Sequence, residues 1–140
     1  MEPRISIVTL GTHDLARACA FWEAMGLTRK AKSIEAMAFF QLNGLVLGLY
    51  PFERLAEDCK LPGGPPAGAV TLACNARSQA EVDALLAQAV AAGATLQVPA
   101  HKAFWGGYSG YFLDPDGHPW EVAFNPFFAL AGDGAVILPD

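Results

Sequence analysis

Charge is scarce in this 140-residue chain: 16% of the residues are Asp, Glu, Lys or Arg, whereas 53% are hydrophobic. The nine Lys and Arg residues form no cluster, and the formal net charge is −5. Without a basic face there is nothing to neutralise a phosphate backbone, which excludes nucleic acid as the expected partner. Cysteine is also sparse. Cys19, Cys59 and Cys74 are odd in number and widely spaced, so they supply neither a disulfide frame nor a zinc knuckle. The start, Met1-Glu2-Pro3-Arg4, lacks the basic, apolar and small-residue regions of a signal peptide. No apolar run has the length to cross a bilayer. The expectation is a cytoplasmic protein without a membrane partner. The surplus of apolar residues has two readings: an Ala-rich, well-packed domain, or additional apolar surface for a homodimer interface or a lined cavity.

What the chain has is a strongly patterned hairpin. Residues 104–122, FWGGYSGYFLDPDGHPWEV, read as two aromatic-rich strands joined by a tight turn. Pro115 sets φ at the first corner, and Gly117 is free to take positive φ at the exit. Glu121 lies inside the second arm among apolar neighbours, where a carboxylate needs a partner, a cavity, a metal or solvent. Two registers are open. A type I turn with a bulge at Gly117 places Tyr111 opposite Glu121. A plain four-residue connection places Gly110 there and brings Tyr108 and Phe112 onto the Glu121 face.

The remaining chain reads as two similar halves. Ile5–Leu10 is a β-branched strand, Asp14 an N-cap, and Leu15, Cys19, Trp22 and Met25 follow near helical spacing up to Gly26. Residues 27–50 read as three short strands, with Asn43-Gly44 as a hairpin turn. The segment from Pro51 to Lys60 has room for a helical turn, and the Pro/Gly-rich run 61–68 breaks any regular element. Val70–Cys74 is then a strand. Ser78-Gln79-Ala80-Glu81 has the form of a capping box, Val82, Leu85, Leu86, Ala89 and Val90 form an apolar stripe, and Gly93 closes the helix. Thr95–Val98 precedes the hairpin. The repeated Val-Thr-Leu at 8–10 and 70–72, with the matching glycines, points to a duplicated βαβββ unit. The expected organisation is one domain with units at 4–50 and 69–127, a join at 51–68, and a tail at 128–140 in which Ala135–Leu138 is an edge-strand candidate.

With Asp14-Leu15 opening the first helix and the run 111–121, YFLDPDGHPWE, closing the second unit, the chain resembles the vicinal oxygen chelate superfamily of glyoxalase I, bleomycin- and fosfomycin-resistance proteins and extradiol dioxygenases, in its glyoxalase-like subgroup. The likeness implies an α+β fold in which duplicated βαβββ units form an incomplete, curved mixed β-barrel with helices on the outside. It also implies a divalent metal held by residues of the first and last strands of each unit. Glu121 matches the carboxylate ligand of that set. The other positions fall at Ile7, at Val70 or Thr71, and at Gly48, none a useful donor, so a family-type metal site is not the expectation, with a divalent metal kept as the alternative and no other cofactor implied. His13, His101 and His118 do not match ligand positions. The resulting expectation is a small-molecule-binding protein with an aromatic-lined cavity. Glu121 and Tyr111 are its candidate acid–base pair, and Trp105, Tyr108, Phe112 and His101 its candidate substrate contacts. The alternative is a lyase, isomerase or dioxygenase acting on a small oxygenated substrate, metal-assisted or through Glu121 and Tyr111.

Overall fold

A computed structural model describes residues 5–30, 37–65 and 70–139. The chain divides into two compact units, Met1–Ala67 and Gly68–Asp140.

In the first unit, β1 (Ile7–Thr12) leads into α1 (Leu15–Ala24), then β2 (Ala38–Gln41), β3 (Val46–Pro51) and α2 (Phe52–Cys59). The sheet has the order β1-β3-β2. β1 runs parallel to β3, and β2 is antiparallel to it. Asp14 caps α1 by accepting the Arg17 amide at 3.0 Å, which satisfies one of the orphan donors of the first turn. Ala18, Cys19, Phe21 and Trp22 form the buried stripe of α1. Phe40, Leu47 and Leu49 of the sheet are likewise closed off from solvent. Of the three strands expected over residues 27–50, the first is represented by a single bridge from Arg29 to Phe40; residues 31–36 lie outside the described residues. β1 begins and ends two residues later than the pattern indicated, because Gly11 and Thr12 pair with Tyr50 and Pro51.

α2 occupies part of the stretch read from the sequence as a join. It packs on β1 and β3 and ends on Lys60 at φ 54°. A Cβ at Gly11 would stand 2.8 Å from Phe52 Cδ2. The missing side chain at Gly11 is therefore what admits the Phe52 ring against the sheet.

The second unit contains β4 (Leu72–Asn75), α3 (Gln79–Ala91), β5 (Thr95–Lys102), β6 (Tyr108–Leu113) and β7 (Pro119–Phe124), followed by the small hairpin β8 (Ala129–Leu130) and β9 (Val136–Ile137). The main sheet runs β4-β7-β6-β5, with β4 parallel to β7 and the other pairs antiparallel. Both units are thus mixed sheets carrying helices, an α+β fold, and neither sheet closes on itself. Ser78 Oγ accepts the Glu81 amide at 3.1 Å. Glu81 Oε2 returns to the amide of Arg77 at 2.6 Å, one residue before the cap. Val82, Leu86 and Ala89 are the buried face of α3; Val90, placed in the same stripe by spacing, is 46% exposed. The expected edge strand in the tail instead pairs with β8.

The register revises the internal alignment. Thr9 pairs with Gly48 on β3, and Ala73 pairs with Glu121 on β7. Measured from the N-caps Asp14 and Ser78, Thr9 therefore corresponds to Ala73. The two Val-Thr-Leu tripeptides stand two residues out of register and are not equivalent. A shift of two keeps the same faces of the strand, so Ile7 and Thr71 remain counterparts.

Candidate functional site

The β6–β7 turn takes the bulged form. Asp114 and His118 close it, with the Asp114 amide donating to the His118 carbonyl at 3.0 Å and the Gly117 amide to the Asp114 carbonyl at 2.9 Å. Gly117 sits at φ 87°, a conformation that disfavours a side chain. The Asp114 carboxylate secures the turn from within. It is 6% exposed, and its Oδ1 accepts the amides of Asp116 at 3.0 Å and His118 at 2.9 Å. Burial raises its pKa, against the opposing pull of His118 and the two amide donors. Sequence reasoning treated this residue only as part of a turn motif; its Asp-Pro-Asp-Gly setting was the signal that it bonds its own backbone.

From that turn the register places Tyr111 opposite Glu121. Burial raises the pKa of the phenol, and the charge of Glu121 with a hydrogen bond to its carboxylate adds to the rise. Tyr111 therefore keeps its phenol proton, beside the Glu121 carboxylate that it faces. Both are half-buried, open to a molecule arriving from solvent. Ala73 lies beside Glu121 on β4, and Val98 opposes Tyr111 on β5.

The other face of the sheet belongs to α3. A Cβ at Gly110 would stand 2.7 Å from Leu86 Cδ1. The Tyr108 hydroxyl donates to Asp83 of α3 at 2.9 Å. Phe112 is 3% exposed and stacks on Trp120 with ring centroids 6.3 Å apart and planes at 4°. Tyr108 and Phe112 thus stand on the face opposite Glu121, where they hold helix to sheet. Trp105 lies at the β5–β6 turn with its ring folded onto Gly107, and a Cβ at Gly106 would stand 3.2 Å from Phe127 Cε2. His101 pairs with Ser109 on the Tyr111 face; it is exposed, and its Nδ1 lies 3.1 Å from the Pro99 carbonyl. Glu121 and Tyr111 are thus brought together, with His101 along the same face. A separate groove of about 460 Å³ lies between α3 and β5, lined by Leu86, Val90, Leu96 and Pro99 with Asp83. None of the candidate acid–base or substrate-contact residues read from sequence lines it.

Residues 4–122 match the family model of the Glyoxalase/Bleomycin resistance protein/Dioxygenase superfamily, and the chain belongs to that family. It is similar over 99% of both chains, at 36% identity and a TM-score of 0.90, to a glyoxalase-related enzyme from Fulvimarina pelagi. It also resembles lactoylglutathione lyase from Agrobacterium tumefaciens, at 26% identity over 89% of this chain and 96% of that one, with a TM-score of 0.69. The fold is shared with the genomically encoded fosfomycin resistance protein FosX from Listeria monocytogenes, at 24% identity, 89% and 95% coverage and a TM-score of 0.70. No curated protein matches.

The family implies a divalent metal, and the residues at its ligand positions do not fit one. Ile7, Thr71, Gly48 and Glu121 offer one carboxylate and a hydroxyl, whereas a catalytic divalent ion takes about three protein donors. At Gly48 the space for a side chain is already taken. A Cβ there would meet Met37 Cε at 2.9 Å and Thr9 Oγ1 at 3.3 Å. Among the described residues no group of three or more His, Cys, Asp or Glu side chains is placed to hold a metal ion.

Proposed function

We propose that this glyoxalase-related protein binds a small organic molecule on the Glu121–Tyr111 face of its second sheet, without the metal of its family. The cross-strand pairing of Tyr111 with Glu121 carries this reading. It sets a hydrogen-bond donor and an anionic acceptor side by side among Ala73, Val98 and Leu113, a small polar anchor in an apolar wall of the kind that orients ligands. His101 is the further polar contact along that face, and Trp105 the aromatic beside it. The test is an NMR titration of the full chain with a library of small aromatic and hydroxylated compounds. The expected result is a set of binders that shift the amides of Tyr111, Glu121 and Ala73. A library whose binders all shift other regions would sink the proposal. Metal analysis of protein purified without chelator is expected to find no stoichiometric divalent ion; one lost in Glu121→Gln would overturn the metal-free reading.

The same pair supports a second reading, acid–base catalysis of lyase or isomerase type. A bound carbonyl compound would take over the Tyr111 hydrogen bond at its oxygen while Glu121 accepts the proton from the adjacent carbon. Glu121→Gln separates the two readings. Binding retained with turnover abolished supports catalysis, whereas wild type without turnover on any binder leaves binding alone.

The apolar surplus of the composition is assigned to a homodimer and the setting to the cytoplasm. Phe104 is fully exposed, and Ile137 and Leu138 are more than half exposed. No helix among the described residues is long and apolar enough to cross a membrane. Sedimentation at micromolar concentration tests the dimer.

A further inference from the structure

We infer that the ligand of the Glu121–Tyr111 face is a cation: a small amine or amidine on a compact apolar body, with its N–H groups on the Glu121 carboxylate. This rests on the small-molecule reading above and assigns the class of molecule.

Charge in the second unit is the first ground. Residues 68–140 hold two basic and seven acidic residues, and so carry the whole net charge of −5, since residues 1–67 hold seven of each. Anions approaching this unit are repelled and cations drawn in.

The placement of its two permanent cations is the second ground. The Arg77 guanidinium donates to the carbonyls of Ala131 at 2.7 Å and Gly132 at 3.3 Å, so it is engaged with the tail. Lys102 pairs with Tyr108, on the face that bears α3. Neither stands on the Glu121 face of this sheet. The strand positions around Glu121 on that face are Ala73, Ser109, Tyr111, Leu113, Pro119 and Ala123, all uncharged. His101 is the titratable group further along it, and its ring is turned to the Pro99 carbonyl. Tyr111 stands directly opposite Glu121 across the strands, an uncharged phenol beside that carboxylate. A carboxylate or phosphate ligand would thus meet one anion and no fixed cation of this unit, whereas an ammonium completes an ion pair with the phenol as a second donor to the same carboxylate.

The apolar rim sets the rest. Leu113, Pro119, Ala73 and Val98 offer hydrocarbon contact and no further fixed charge, which fits one cationic group on an alkyl or aryl body rather than a polycation.

The test uses three probes of similar shape, 2-phenylethylamine, 2-phenylethanol and 3-phenylpropionate, titrated into the full chain while the Tyr111 and Glu121 amides are followed by NMR. The amine is expected to bind at least about tenfold more tightly than the alcohol, with the carboxylate weakest. Glu121→Gln, checked for folding by amide dispersion, should bring amine and alcohol within about twofold. A second measurement needs no variant: the amine preference should shrink as salt rises from about 0.05 to about 0.5 M. A carboxylate that matches the amine, or an amine preference indifferent to salt and to Glu121→Gln, overturns the assignment. Alcohol or carboxylate binding at this face without amine preference overturns the cation alone. Failure of all three to shift these amides overturns the cation, and only a library equally silent there overturns the small-molecule reading with it.

Discussion

Tyr111 and Glu121 face each other across β6 and β7, and the charge of the carboxylate helps burial to raise the pKa of the phenol. The register that creates this pair is set at the turn Asp114–His118, by Gly117 at positive φ and by the buried Asp114 carboxylate. Without the bulge, Gly110 would oppose Glu121 and the pair would not exist.

Glu121→Gln should lower the Tyr111 pKa toward the ordinary tyrosine value of 10.0, because it removes the charge that adds to the effect of burial. The tyrosinate absorbance difference between each protein and its Tyr111→Phe counterpart isolates this phenol. The folded wild type keeps the Tyr111 proton to higher pH than the unfolded chain does. This contribution to stability is therefore present below pH 10.0 and is lost as pH rises through the folded value. Tyr111→Phe should flatten that alkaline decline; an unchanged slope in denaturant titrations would contradict the assignment.

Asp114 separates hydrogen bonding from charge. Asp114→Ala strands two amides of the turn and should cost about 1–3 kcal/mol. Asp114→Asn keeps an oxygen for both amides and removes the charge from a buried site, so it should cost less. Burial raises the folded pKa of Asp114 above 3.8. The folded state thus binds more protons across that window, and stability falls as pH rises through it. Asp114→Asn abolishes this component, which urea denaturation at a series of acidic pH values would show.

Two glycines should respond differently to the same methyl group. At Gly110 a Cβ would meet Leu86 Cδ1 at 2.7 Å, the Val98 carbonyl at 2.8 Å and the Ala100 nitrogen at 3.0 Å. Two of these are backbone atoms, so Gly110→Ala should cost about 1–3 kcal/mol and loosen α3 from the sheet. At Gly48 the nearest atom is the Met37 methyl at 2.9 Å, the free end of a flexible chain. Gly48→Ala should cost under about 1 kcal/mol. Equal losses in thermal denaturation would show that Met37 cannot yield.

Arg77→Ala should free the tail without unfolding the domain. Its guanidinium bonds to Ala131 and Gly132 tie the β8–β9 hairpin to the start of α3, and a hairpin of two-residue strands has little stability of its own. Faster amide exchange over residues 129–139 is expected, with global stability changed by no more than about 0.5 kcal/mol. Exchange unchanged there would assign the tail to other contacts.

The elements that local chemistry builds were legible in the residues. Asp14 and Ser78 cap their helices, and Gly26, Gly93 and Gly117 take the positive φ their positions require. These features depend on neighbours within four residues, which a sequence displays directly. The aromatic hairpin and its turn carried the family likeness for the same reason. What needed tertiary structure was pairing and facing. The hairpin admitted two registers, and the buried Asp114 decided between them. The Val-Thr-Leu repeat looked equivalent until Thr9 paired with Gly48 and Ala73 with Glu121. Phe112 and Tyr108 read from sequence as site candidates, and the structure sets them on the face opposite Glu121, Tyr108 bonded to Asp83 of α3 and Phe112 stacked on Trp120 of β7. α2 showed in the sequence only as room for a helical turn, because its anchor, Phe52 against Gly11, joins residues 41 positions apart. Side-chain type is written in the chain, but which face of a strand meets a helix and which meets solvent follows from strand pairing between distant segments. The sequence alone thus displayed Glu121 as a carboxylate among apolar neighbours, and the folded sheet placed Tyr111 opposite it.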